Sequence, residues 1–186
     1  MAQLFPGSQS GNGVVLRATP SVAQQAITAA TRTLVTGTKI KVPPGGLKVG
    51  SRYRAEFNVA KTAAGTATST IDVGFGTAGT TADTARVSFT KPAGTAAADE
   101  GFIVVEALVR TVSATGVVAG EFVLVHNLAA TGHAQIPCVV VSTISSGFDN
   151  TSEELYVSTF ITTGASDVVT IEVARAELYI PTNGQN

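Results

Sequence analysis

A chain of 186 residues fits one domain, or one domain with an arm. Only 13% of it is charged, with a net charge of −1. That is about half the roughly 25% usual in soluble domains, and it excludes recruitment of nucleic acid or an anionic membrane through long-range fields. A chain this long buries roughly two-thirds of its extended surface on folding, so its core requires neither disulfide nor metal.

Residues 1–31 carry a single charge, Arg17, together with Pro6, Pro20 and three Gly. Met1 to Asn12 has neither the basic region nor the apolar core of a signal peptide. The stretch from Thr19 to Thr31 is compatible with one short helix, with Thr19 as N-cap and Pro20 at the first helical position. Residues 1–31 are therefore read as an N-terminal arm that docks on its own domain or on a partner, and residues 32–186 as the folded domain.

From Thr33 onward the apolar period is two. Leu34 to Val42 ends at Pro43-Pro44-Gly45-Gly46, a hard stop with turn chemistry. In Arg52 to Val59, Tyr53, Ala55, Phe57 and Val59 share one face, while Arg52, Arg54, Glu56 and Asn58 share the other. Ile71, Val73 and Phe75 mark the next strand, and Val87 and Phe89 a short fourth. Ala-Gly-Thr recurs at residues 64–66, 78–80 and 93–95, beside these strands, as turn sequence. Phe102 to Arg110 is apolar on both faces apart from Glu106, so it reads as a central strand covered twice, by the sandwich interior and by either the arm or another subunit. Glu121 to Val125, Pro137 to Ile144, Leu155 to Thr162 and Val168 to Ile180 complete nine candidates. The last changes phase, which calls for a β-bulge near Val173 to Arg175. The fold class is all-β: an antiparallel, jelly-roll-like sandwich of about eight or nine strands, preferred over a seven-stranded immunoglobulin-like one.

The residues that carry chemistry are sparse. Cys138 stands alone, so no intramolecular disulfide forms, and beside Val139, Val140 and Val141 it reads as a buried thiol. His126 and His133 flank a probable loop and read as surface histidines, not a metal pair, because no carboxylate or thiol lies nearby in sequence. Among the loop acids Asp83, Asp99, Glu100, Asp149, Glu153, Glu154 and Asp167, the cluster Asp149, Glu153 and Glu154 is the one that invites a calcium ion. Backbone capping is the favoured reading. With no Trp in the chain, Tyr156 and Tyr179 are the candidates for a sugar-facing surface, and Tyr53 is expected in the core. No glycine-rich turn carries a phosphate-binding pattern. No catalytic, cofactor-binding or metal residue is assigned. An enzyme such as a glycan depolymerase has only the generality of the fold behind it. The 26 Thr and 19 Gly make a surface that loses little side-chain entropy when held against a neighbour.

The runs KTAAGTA (61–67), GTAGTTADTAR (76–86), Ala93-Gly94-Thr95, DEGF (99–102) and HNLAATG (126–132), with the closing strand from Glu172 to Leu178, resemble a group of tailed-bacteriophage virion proteins. The resemblance spans about residues 33–181. It implies a jelly-roll sandwich on a phage particle, most readily a capsid decoration, cement or head-appendage protein that binds capsid subunits. A tail-fibre or baseplate-associated module that binds a receptor or glycan is the alternative. It also implies a homotrimer or other homo-oligomer, contacts to major capsid or tail proteins through residues 1–31, and localisation in the virion after synthesis in the host cytoplasm. No catalytic residues carry over.

Overall fold

The computed structural model describes residues 13–28, 30–62, 65–128, 130–136, 138–164 and 167–182, so the first twelve residues of the expected arm lie outside it. Among the described residues the chain is all-β. The strands are β1 (Gly13–Arg17), β2 (Gln25–Thr28), β3 (Thr33–Leu34), β4 (Ile40–Val42), β5 (Arg52–Lys61), β6 (Ser69–Gly76), β7 (Thr84–Lys91), β8 (Asp99–Thr111), β9 (Val117–His126), β10 (Cys138–Ile144), β11 (Leu155–Thr162) and β12 (Val168–Pro181). One antiparallel sheet runs β1-β12-β5-β8-β9-β10, with β2 also on β12. The other runs β3-β11-β6-β7, with β4 also on β11.

β1 and β2 share one edge of β12, and β3 and β4 share one edge of β11. Each pair is one interrupted strand. Counting each pair once and setting the β9–β10 hairpin aside leaves eight positions, ordered 1-8-3-6 in one sheet and 2-7-4-5 in the other. That is the strand order of a jelly roll. The count of twelve exceeds the nine expected because the 34–42 segment is split in two and the arm supplies two further strands. The β9–β10 hairpin extends the larger sheet beyond β8.

The helix expected over 19–31 is not formed. Ser21 exchanges backbone hydrogen bonds with Ala174, at 2.9 and 3.1 Å, and Gln25–Thr28 pairs in register with β12. The edge of β12 offers backbone partners to Ser21 and to Gln25–Thr28, and the extended form drives Ile27 completely into the core. Tertiary pairing outweighs a weak, capped helical pattern. The described part of the arm thus docks on its own domain.

The bulge expected in the last strand is present, displaced by one residue. Ile171 faces Val59 and Ala174 faces Phe57, so Glu172 and Val173 together oppose Asn58. Ile171 before it and Ala174, Ala176 and Leu178 after it all point inward. Between the sheets, Phe89 stacks on Phe122 with ring centroids 5.9 Å apart, and Phe75 meets Phe148 at 5.4 Å.

Tyr53 is fully buried, as expected of the inward face of β5. Its hydroxyl donates to the Thr38 carbonyl at 2.9 Å and lies 2.9 Å from Thr159 Oγ1. Burial pushes the phenol well above its ordinary pKa, which keeps it protonated as a donor. Tyr53→Phe is expected to cost about 1–2 kcal/mol, because it leaves buried acceptors unpaired without opening a large cavity. Urea unfolding checks this as a lower midpoint at unchanged slope.

Candidate interaction face

The inward residues of β8 (Ile103, Val105, Ala107 and Val109) are all buried, as the alternation requires. Its outward residues continue across two more strands in register. Phe102 faces Val125, which faces Cys138; Val104 faces Val123, then Val140; Leu108 faces Ala119, then Ile144. These rows form an apolar field on the outside of the larger sheet, with Val125 50%, Val140 61% and Ile144 58% exposed. Of the two covers expected for β8, residues 13–28 of the arm are not one, because β1 and β2 lie beyond β12 at the far side of the sheet. Cys138 is a correction: it belongs to this exposed face and is not a buried thiol. The alternation of β10 buries Val139 and turns its even-numbered neighbours outward.

One polar row, Glu106–Glu121–Ser142, crosses the field between the Val104 and Leu108 rows, and further charges border it and largely satisfy one another. Arg54 bonds Glu56 at 2.6 Å and also pairs with Glu106, while Arg175 donates from Nε to Glu56 at 2.8 Å. Partial burial pushes the Glu56 carboxyl up, but the bonds from Arg175 and Arg54 more than offset this and hold it below the usual range. A cleft of about 350 Å³ opens at this border, lined among others by Arg17, Arg54, Glu56 and Arg175. Its carboxylates are committed to arginines. Glu121 differs: it stands directly opposite Glu106 in register, and among the described residues no cation lies within ion-pair distance of it. Two like charges facing each other across a strand pair are unfavourable.

A buried polar cluster closes one end of the sandwich. Strand phase builds it. Lys61 continues the inward series of β5, Lys91 that of β7, Asp99 that of β8 and His126 that of β9, and all four are buried. Lys61 and Asp99 are register partners. Asp99 Oδ2 meets His126 Nδ1 at 2.6 Å and accepts the His133 N–H at 2.9 Å, and His126 Nε2 lies 2.6 Å from the Ile136 carbonyl. Both histidines are buried, which corrects the expectation of surface residues. The carboxylate that sequence spacing did not supply comes from β8, beside β9 in the sheet. Burial pushes the Asp99 carboxyl up, and the bonds from the His133 amide and the His126 ring reverse this to hold it below its ordinary range. Burial lowers the Lys91 ammonium to about 8 and the His133 imidazole to about 4. Among the described residues no group of three His, Cys, Asp or Glu side chains is placed to hold a metal ion.

This cluster clamps the repeated turns. Lys61 Nζ donates to the carbonyls of Gly65 (2.7 Å) and Thr95 (2.5 Å), tying the first and third Ala-Gly-Thr copies together. Lys91 Nζ donates to the His133 carbonyl at 2.6 Å. At the second copy, Lys39 Nζ donates to the Gly79 carbonyl at 3.2 Å. The copies differ in backbone. Gly65 and Gly79 have φ of 95° and 65°, a region that glycine enters without strain. Gly94 instead leaves room for the Gly132 carbonyl, which accepts the Thr95 N–H at 2.9 Å. Ala64 lies outside the described residues.

Most of the remaining candidates have structural partners. Asp149 accepts from the hydroxyls and amides of Ser152 and Thr151, which hold its carboxyl far below the usual range and make it a turn cap. Glu154 pairs with Lys41 at 2.9 Å. Asp83 accepts the Ala78 N–H at 3.0 Å within the second Ala-Gly-Thr turn. Asp167 is buried close enough to Lys61 and Lys91 to favour their charged forms. The Tyr156 ring has Lys39 and Lys41 over it at 5.7 and 6.0 Å. Arg32 escaped sequence reasoning because it precedes the periodic segments. It forks onto Asp72 at 2.5 and 3.0 Å on the outer face of the smaller sheet and covers Phe160 at 3.8 Å.

No protein-family model matches the chain, and no curated protein matches it in sequence.

Proposed function

We propose that this chain is a non-enzymatic structural protein of a phage particle, a decoration, cement or head-appendage protein that docks on capsid subunits. The observation that carries the reading is the set of apolar rows on β8, β9 and β10 that no described residue covers, a surface that in water favours burial against a partner. The turn sequences that resemble phage virion proteins supply the particle. The titratable groups support the non-enzymatic part. Asp99 and His126 are buried and bonded to each other, Lys61 and Lys91 to backbone carbonyls, and the surface carboxylates Glu56, Glu106 and Glu177 to arginines. Of the two aromatic candidates for the tail-fibre or receptor-binding alternative, Tyr156 has lysines over its ring and the Tyr179 ring lies over Gly13 of β1.

Co-sedimentation with purified particles tests this. Phe102→Glu and Val125→Glu alter exposed side chains and are expected to abolish co-sedimentation at unchanged melting temperature. The arm's share is tested by deleting residues 1–12 alone, because removing 13–28 would strip the sheet of β1 and β2. Binding by both charged variants at the wild-type level would overturn the reading.

A further inference from the structure

We infer that β10 is a pairing edge for a second copy of this chain, the two β10 strands lying antiparallel about a two-fold axis at Val141. This rests on the reading of the β8–β10 face as an assembly surface and names one occupant of its border.

β10 ends the larger sheet, so one of its edges faces no strand among the described residues. The Ser145 N–H donates to the Val118 carbonyl at 2.9 Å, continuing the β9–β10 register. In an antiparallel ladder successive residues alternate between bonding inward to the neighbour and pointing away from it. The odd residues of β10 therefore bond β9, and the backbone groups of Val140, Ser142 and Ile144 point to the free edge. Natural sheets usually block such an edge with charge, proline or shortness. β7, which ends the smaller sheet, carries Arg86 and Lys91, whereas β10 is seven residues long with no charge.

The sequence of β10 is complementary to itself in one register. Centred on Val141, Cys138 faces Ile144 of the second copy and Val140 faces Ser142 of the second copy. The row Phe102–Val125–Cys138 then runs on into Ile144, Ala119 and Leu108 of the second copy, giving two unbroken apolar rows across the seam. The row holding Glu106 and Glu121 runs into Val140, Val123 and Val104 of the second copy, so no carboxylate meets its own image. A net charge of −1 adds little repulsion between copies. At the axis Val141 faces its own image in a non-hydrogen-bonded pair, where Cα atoms lie about 4.5 Å apart, within the range a disulfide spans.

The test uses the full chain. Light scattering after size exclusion should give twice the 18.8 kDa chain mass, and Val140→Lys, a change at an exposed side chain, should return it to one chain mass. Val141→Cys in a Cys138→Ser background should form a disulfide-linked dimer under mild oxidation, faster than a control cysteine placed at the exposed Thr115. A wild-type monomer at high concentration overturns the inference, as does a trimer that Val140→Lys leaves intact, or cross-linking no faster than the control. Particle co-sedimentation is scored separately. A wild-type dimer that does not co-sediment with particles counts against the proposed function and leaves the seam standing. A wild-type monomer that co-sediments does the reverse.

Discussion

Asp99→Ala is expected to lower the unfolding free energy by about 3–5 kcal/mol, because it strands two buried donors at about 1–3 kcal/mol each and takes a carboxylate from beside a buried lysine. The carboxylate joins three elements of the closed end: the His126 ring from β9, the His133 amide from the loop after it, and its own neighbour Glu100, whose N–H it accepts at 2.9 Å. Alanine leaves the His126 Nδ1 and the His133 N–H buried without an acceptor. It also takes from Lys61 the carboxylate opposite it in register. For a chain of this length the loss corresponds to a melting temperature lower by roughly 10 °C. Asp99→Asn keeps a carbonyl acceptor and the shape, so it is expected to lose less. Calorimetry of the three proteins decides the matter. A fall below about 1 kcal/mol for the alanine variant, the size of an exposed ion pair, would mean that the cluster does not bind the end of the sandwich together.

Much of the sandwich was legible because its signal is local. Tyr53, Ala55, Phe57 and Val59 can face one way only if the segment is a strand, and the phase change after Ile171 has only a bulge to explain it. The β1–β2 edge was not legible for the opposite reason. Gln25–Thr28 becomes a strand through the free edge of β12, more than 140 residues later, and nothing in a four-residue segment announces its partner. The split of β3 from β4 has the same origin, since both follow β11.

The buried cluster was half legible. Extending each strand phase by one step past its last apolar residue leads from Val59 to Lys61, from Phe89 to Lys91 and from Leu124 to His126. All three charged or polar ends turn inward. The apolar pattern alone does not extend to these ends, because lysine at a strand end normally lies in solvent. What the phase alone does not tell is that the four ends meet, which depends on the order β5-β8-β9 in one sheet and on β7 lying in the other. Cys138 illustrates the limit from the other side. Its flank of three valines fits a strand buried on both faces, but β10 lies at an edge where only its odd-numbered face is packed.

Acidification should unfold this protein through His133. Its ordinary value is 6.5 and its value in the folded chain about 4. Burial is the main cause, followed by attraction to Asp99, which partly offsets it, and then repulsion from Lys91 and His126. Below pH 6.5 the unfolded chain takes up a proton that the folded chain refuses, so stability falls as pH drops from about 6.5 to about 4. The difference corresponds to about 3 kcal/mol. Asp99 acts in the same direction at lower pH, because a carboxyl held below its ordinary range stabilises the fold until it is protonated there. Lys91 acts at the other end. With a folded value of about 8 against 10.5, the unfolded chain holds more protons between those limits, and stability rises with pH across them. Urea unfolding from pH 4 to 10 should show both slopes. His133→Gln removes the titrating ring and should flatten the acid slope between 6.5 and 4, while Lys91→Met should remove the alkaline rise and leave the acid slope in place. An acid slope as steep in His133→Gln as in the wild type would assign the lability to groups other than His133, since no neutral amide can reproduce a proton refused by a buried imidazole.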